Sequence, residues 1–141
     1  LRVRVRKIRN SMEKEGLDTS KVINTVNNLF SAHKALSYYK DKAINKHVAF
    51  LSKNKCQISK KIFAHEAGEI IFKSFSDIFL SISGKYYPPR SKKIINLIIR
   101  LQKNVFNKST LGGCVIEKKD SLIFISKESK KKRKVAFQPN K

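Results

Sequence analysis

The sequence predicts an α+β chain: an N-terminal helical segment followed by a small α/β C-terminal domain with a short, mostly antiparallel sheet. Three observations carry that expectation. Apolar residues recur at helical spacing through much of 1–46 and again over 71–82 and 94–105, whereas after Lys108 the period falls to two. Between these stretches, His47-Val48-Ala49-Phe50-Leu51 and Cys56-Gln57-Ile58 flank the polar Ser52-Lys53-Asn54-Lys55, the pattern of a short hairpin. At 141 residues the chain suits one domain or two small ones and can bury about two thirds of its unfolded surface. We divide it into a helical segment 1–46, a C-terminal domain 47–128 and a basic tail 129–141.

Taken in order, Leu1-Arg2-Val3-Arg4-Val5-Arg6 alternates as a strand would, but Met12 and the charges around Glu13 and Glu15 suit a helix, which we prefer. Gly16-Leu17-Asp18 breaks the pattern, and the Asp18 carboxylate can cap the next helix. There Val22, Val26, Leu29, Phe30, His33 and Leu36 form one stripe, so His33 is expected as a packed core histidine. Tyr38 and Tyr39 lie among Lys34, Lys40 and Lys42, where rings beside cations can stack on bases or simply cover the edge of a core. Ser59 is placed to cap a short helical turn. Ile71, Phe75, Ile78, Phe79 and Ile82 mark a buried helix ending at Gly84.

Lys85-Tyr86-Tyr87-Pro88-Pro89-Arg90 follows as a stiff spacer, because each proline fixes its own φ and Pro88 pushes Tyr87 toward an extended backbone. Ser91 is expected to cap a helix with Ile94, Leu97, Ile98, Leu101 and Val105 on its apolar stripe and Lys92, Lys93, Arg100 and Lys103 mostly on the other side. Two strands, 111–117 and 122–126, are expected to close the domain through Lys118-Lys119-Asp120. Gly112-Gly113 stands where a strand needs unusual φ or a close backbone approach. The tail carries six cations and no acid and should be disordered in isolation.

Lysine and arginine number 32 against 10 acids, a net charge of +22, which makes a polyanion the leading partner and puts nucleic acid ahead of membrane. Most of the cations are lysines in a chain also rich in Ile and Asn, so part of this charge is open to explanation by genome composition. Cys56 and Cys114 have neither CxxC nor paired-His spacing, which argues against a disulfide framework or a structural metal site and for a reducing cytoplasm. No apolar run approaches the roughly 18 residues of a membrane span, and a start at Leu1 suggests a fragment. His65-Glu66-Ala67-Gly68-Glu69 has the outline of a zinc-protease helix, but its second ligand would be Glu69 and no third is placed. Its plainer role is acid at a helix N-terminus. There is no phosphate-cradling glycine loop, and Cys114 has no His placed to activate it. Lys130-Lys131-Lys132-Arg133-Lys134-Val135 is similar to a nuclear localisation signal, though a tail that grips phosphates has the same composition.

One set of residues goes further. Tyr87-Pro88-Pro89-Arg90, then one amphipathic helix, then Thr110-Leu111-Gly112-Gly113-Cys114 and a closing strand ending Lys127-Glu128 resembles the C-terminal region of bacterial tRNA(Ile)-lysidine synthetases. Arg2, Arg4, Arg6 and Arg9 look like the Arg-x-Arg run where that family's catalytic domain hands over to its RNA-recognising part, and Gly16-Leu17-Asp18 with its long helix follows in the same order. The family usually closes with Arg-Glu-x-Arg. Here Lys127-Glu128-Ser129-Lys130 keeps the charge and loses the guanidinium fork.

The resemblance implies the tRNA-recognising part of an enzyme that uses ATP to join lysine to the wobble cytidine of tRNA(Ile). The catalytic domain would precede Leu1, and the Ser-Gly-Gly-x-Asp-Ser loop that binds ATP in the family is not in this sequence. The chain itself would then hold no catalytic residue, metal or cofactor, ATP belonging to the full-length enzyme. Its partners would be tRNA and the N-terminal catalytic domain of the same enzyme, in the cytoplasm. Candidate RNA contacts are Arg4, Arg6, Arg90, Lys92, Lys93, Arg100, Lys130, Lys131, Lys132 and Arg133. Composition and spacing by themselves reach only a basic RNA- or DNA-binding module. They leave open a nonspecific nucleic-acid-binding or nuclear protein, a hydrolase using His65 and Glu66, and a gene fragment without function.

Overall fold

A computed structural model describes residues 2–103 and 106–129. The expected basic tail from 130 onward, with Lys130, Lys131, Lys132 and Arg133, and Val105 of the expected apolar stripe lie outside the described residues. The chain divides into two compact units, Leu1–Tyr39 and Lys40–Lys141.

In the first unit the helical option holds at the N-terminus, where α1 spans Arg2–Lys14. Gly16 ends it at φ +85°, a backbone state glycine reaches without a Cβ penalty, and the Leu17 amide donates back to the Met12 carbonyl at 2.9 Å. Asp18 then starts α2 (Thr19–His47): its Oδ1 accepts the Lys21 amide at 2.8 Å and the Ser20 hydroxyl at 2.7 Å. These bonds, the Lys21 amide foremost, hold the Asp18 carboxyl below the usual carboxylate range.

The expected buried stripe of α2 is not buried. Val22, Val26, Leu29, Phe30 and His33 are all exposed, Leu29 at 65%, so His33 is not a packed core histidine. Helical periodicity marks an apolar face without saying that this chain covers it. Val22 alone of the stripe joins Val5, Ile8, Met12 and Leu17 around a cavity of about 320 Å³, and Phe30 carries the Lys34 ammonium over its ring at 4.6 Å.

The second unit is an antiparallel sheet with helices on one face. β1 (Val48–Ser52) and β2 (Lys55–Ser59) form the expected hairpin, followed by α3 (Ile62–His65), α4 (Gly68–Ser83) and α5 (Ser91–Gln102). Among the described residues three strands follow rather than two: β3 (Lys108–Leu111), β4 (Cys114–Lys119) and β5 (Leu122–Lys127). Gly112-Gly113 does not lie inside a strand. It is the two-residue turn of a hairpin in which Leu111 pairs with Cys114, and both glycines have positive φ (+63° and +85°), as tight turns that match strand twist require. The strand order is β1-β2-β5-β4-β3 with every pair antiparallel.

Alternation along the strands then builds the core. Cys56 and Ile58 of β2, Cys114 and Ile116 of β4, and Ile123 and Ile125 of β5 are fully buried, and pack with Phe75, Ile78, Phe79 and Ile82 of α4 and Ile94, Leu97 and Leu101 of α5. Gly84 stops α4 at φ +67°. At α5 the cap is Arg90 rather than the expected Ser91: the extended backbone set by the two prolines ends one residue sooner, and Arg90 makes no side-chain capping bond. Ser59 does not cap α3, whose N-cap is Lys61, although its hydroxyl accepts the Lys61 amide at 3.4 Å. No helix among the described residues is long and apolar enough to cross a membrane.

Ser74 on α4 is fully buried, and its hydroxyl is left without a hydrogen-bond partner. Since an unsatisfied buried hydroxyl costs about 1–3 kcal/mol and Ala is the better helix former, Ser74→Ala is expected to stabilise the fold by about 1 kcal/mol. Urea denaturation followed by circular dichroism measures it, and a loss of stability would mean that the hydroxyl is satisfied in solution.

Candidate nucleic-acid interface

The two sequence runs that drew most notice, Tyr87-Pro88-Pro89-Arg90 and Gly112-Gly113, meet in space. A Cβ built on Gly112 would stand 2.5 Å from Pro89 Cγ, closer than side chains approach, so the β3–β4 turn accepts the proline ring only because residue 112 has none. At Gly113 the neighbour is softer, Lys85 Cε at 3.1 Å. Seated against this turn, the spacer leaves Tyr86 (86%) and Tyr87 (75%) in solvent, their rings edge to face at 4.7 Å. Two adjacent exposed tyrosines on a proline-stiffened backbone offer stacking surface at little ordering cost.

Arg90 leads from the spacer into α5, exposed at the helix start, with Lys92 and Lys93 in the first turn and no acid there. Lys93 and Arg100 line one side of a cleft of about 240 Å³ together with Asn96, and the edge strand contributes Ser109 and Thr110 to the other side. Leu97 and Leu111 also line the cleft, while its cations, amide and hydroxyls are groups that can hold phosphate oxygens. The Arg100 guanidinium also sits over Phe106 at 5.2 Å, which orients it. Of the expected contacts, Lys92, Lys93 and Arg100 thus share one helix with Arg90 as its N-cap, and only Lys93 and Arg100 share the cleft. Arg4 and Arg6 are exposed on α1 in the other compact unit.

The zinc-protease outline dissolves in three dimensions. His65 ends α3, and Glu66 is turned to the buried His47, whose Nε2 donates to its Oε1 across 3.1 Å, with the two imidazoles stacked at 6.1 Å. Glu66 therefore braces the end of α2 rather than opening α4, where Glu69 stands in the first turn and faces Lys73 at 3.6 Å. No group of three His, Cys, Asp or Glu among the described residues is placed to hold a metal. Burial pushes the Cys56 thiol up to about 12, and burial likewise raises Cys114 against the pull of Lys85 and Lys127, so neither is a ready nucleophile.

With that geometry in hand, comparison with protein families, curated proteins and solved structures finds no match.

One surface escaped the sequence argument. On the sheet face away from the helices, Phe124 of the central strand β5 is half-buried between Lys55 and Lys119, whose ammonium groups lie 5.5 and 6.0 Å from its ring centre. Leu122-Ile123-Phe124-Ile125 is apolar at every position, so only the pairing register reveals which side chains face outward.

Gly112→Ala is expected to destabilise the protein by about 1–3 kcal/mol, since it adds strain at positive φ to the overlap with Pro89. Gly113→Ala meets only a flexible lysine and should cost less. Parallel denaturation of the two variants tests the contact, and equal losses would show that φ alone matters.

Proposed function

We propose that this chain is the tRNA-binding C-terminal part of a tRNA(Ile)-lysidine synthetase, acting beside an N-terminal catalytic domain that binds ATP and ligates lysine to the wobble cytidine, in the cytoplasm. The observation that carries RNA binding is the start of α5. Helix N-termini are already positive, and each cation placed there works against the dipole by about 0.3–1 kcal/mol. Arg90, Lys92 and Lys93 stand there with no acid in the turn, an arrangement that a phosphate reverses from repulsive to favourable. Exposed Tyr86 and Tyr87 beside it suit unstacked bases better than a smooth duplex.

The specific identity rests on the resemblance of the motif runs, and is supported by the packing of Pro89 on Gly112, which makes one substructure of the two runs that carry it. The division of labour is physically sensible. An active site that modifies one nucleotide cannot reject other tRNAs unless further contacts span the folded RNA, and lysines and arginines at phosphates supply position while shape and a few base contacts supply choice.

Two experiments test this. Titrated at several salt concentrations, the intact protein should prefer tRNA(Ile) to duplex DNA. The Lys93→Gln/Arg100→Gln double variant should weaken tRNA binding and lower the log–log salt slope by about 1.4–1.8, from roughly 0.7–0.9 per phosphate contact. Equal affinity for both nucleic acids would replace the proposal with nonspecific polyanion binding. Incubated alone with ATP, labelled lysine and the tRNA, the chain should form no lysidine; product in proportion to its concentration would place catalysis inside it.

A further inference from the structure

We infer that the open face of the sheet, centred on Phe124, is a stacking platform for an unpaired base of single-stranded RNA, with Lys55 and Lys119 taking the phosphates on either side. The inference rests on the proposal that the chain binds RNA, and assigns a mode and place distinct from α5. β5 is the middle strand, so its outward side chains sit at the centre of the sheet: Phe124 faces Gln57 on β2 and Glu117 on β4. Lys55 pairs with Ser126 and Lys119 with Leu122, which puts the two cations diagonally across the ring, one toward each end of β5 and one on each neighbouring strand. The path they define crosses the aromatic ring. Glu117, the acid directly beside Phe124, is ion-paired with Lys108 across the β3–β4 ladder, which blunts its repulsion of a phosphate.

The chemistry favours a nucleic-acid strand over an apolar partner. Around the ring the face is mixed, with Gln57 and Ser126 beside Leu122 and Val115, and its cations outnumber Glu117. A hydrophobic protein surface would bury those ammonium groups without partners. A base instead covers the ring while its flanking phosphates accept the ammonium groups and its edges meet the Gln57 amide and the Ser126 hydroxyl. A duplex hides its bases and cannot use the ring.

The chain contains no tryptophan, which makes the test direct. Phe124→Trp places a single indole on the platform, and its emission should be quenched by a short unstructured RNA along the same saturation curve as fluorescence anisotropy of the labelled RNA. Unchanged emission at saturation overturns the inference. Phe124→Leu, which keeps apolar bulk without the ring, should weaken the same RNA about tenfold or more and leave duplex affinity unchanged, with circular dichroism confirming the fold. Lys55→Gln/Lys119→Gln should lower the single-strand salt slope by about 1.4, at roughly 0.7 per phosphate. Equal effects on single strand and duplex would also overturn it. Failure of the wild-type protein to bind any RNA would remove the broader proposal, whereas RNA binding indifferent to Phe124 removes this assignment alone. Photo-crosslinking of 5-bromouridine RNA to the unaltered protein should map to Phe124, and crosslinks confined to Tyr86 and Tyr87 would place the base elsewhere.

Discussion

The pairing of β2 with β5 is the constraint on which the second unit depends. It joins a hairpin made at 48–59 to a meander made at 108–127, with three helices in between, through five matched positions from Lys55↔Ser126 to Ser59↔Leu122. Neither piece is self-sufficient: a lone two-stranded hairpin is marginal in water, and a three-stranded meander needs something on its apolar face. Joined in this register they align Cys56, Ile58, Ile123 and Ile125 with Cys114 and Ile116 on a single face, wide enough for both α4 and α5. A slip of one residue would turn Cys56 and Ile58 to the opposite face from Ile123 and Ile125 and split the core.

Periodicity made much of this legible. The class, the first hairpin, the long helix and α4 follow from the spacing of apolar residues and from Gly16 and Gly84. Gly112-Gly113 was legible as special but not as a turn, because two glycines in an alternating segment fit a bulge, a close approach or a hairpin equally. The choice is made by the Leu111–Cys114 pairing, which is not local information. Residues 22–36 mark the opposite limit: their stripe follows the helical period, yet the described chain leaves most of it in water rather than in a core.

The basic residues of the candidate interface were visible as composition, and their shared helix as periodicity. Hidden from the sequence was everything that crosses between elements: that Lys93 and Arg100 face Ser109 and Thr110 over a cleft, that Pro89 needs the bare backbone of Gly112, and that Glu66 answers His47 instead of a helix dipole. Local electrostatic rules assign an acid to the nearest helix end, but a buried imidazole competes more strongly because its N–H has no water to fall back on.

The exposure of the first unit has a consequence for how firmness is distributed along the chain. Between residues 3 and 39 no side chain is fully buried, whereas the sheet and its two long helices enclose a continuous core. Backbone opening in α1 and the first turns of α2 therefore breaks little more than helical hydrogen bonds, while opening at Phe79 or Ile123 takes the core apart. The two regions carry separate free energies of opening. Amide hydrogens of the first will exchange with solvent long before those of β5, and proteases will trim the N-terminal helices before they reach the strands.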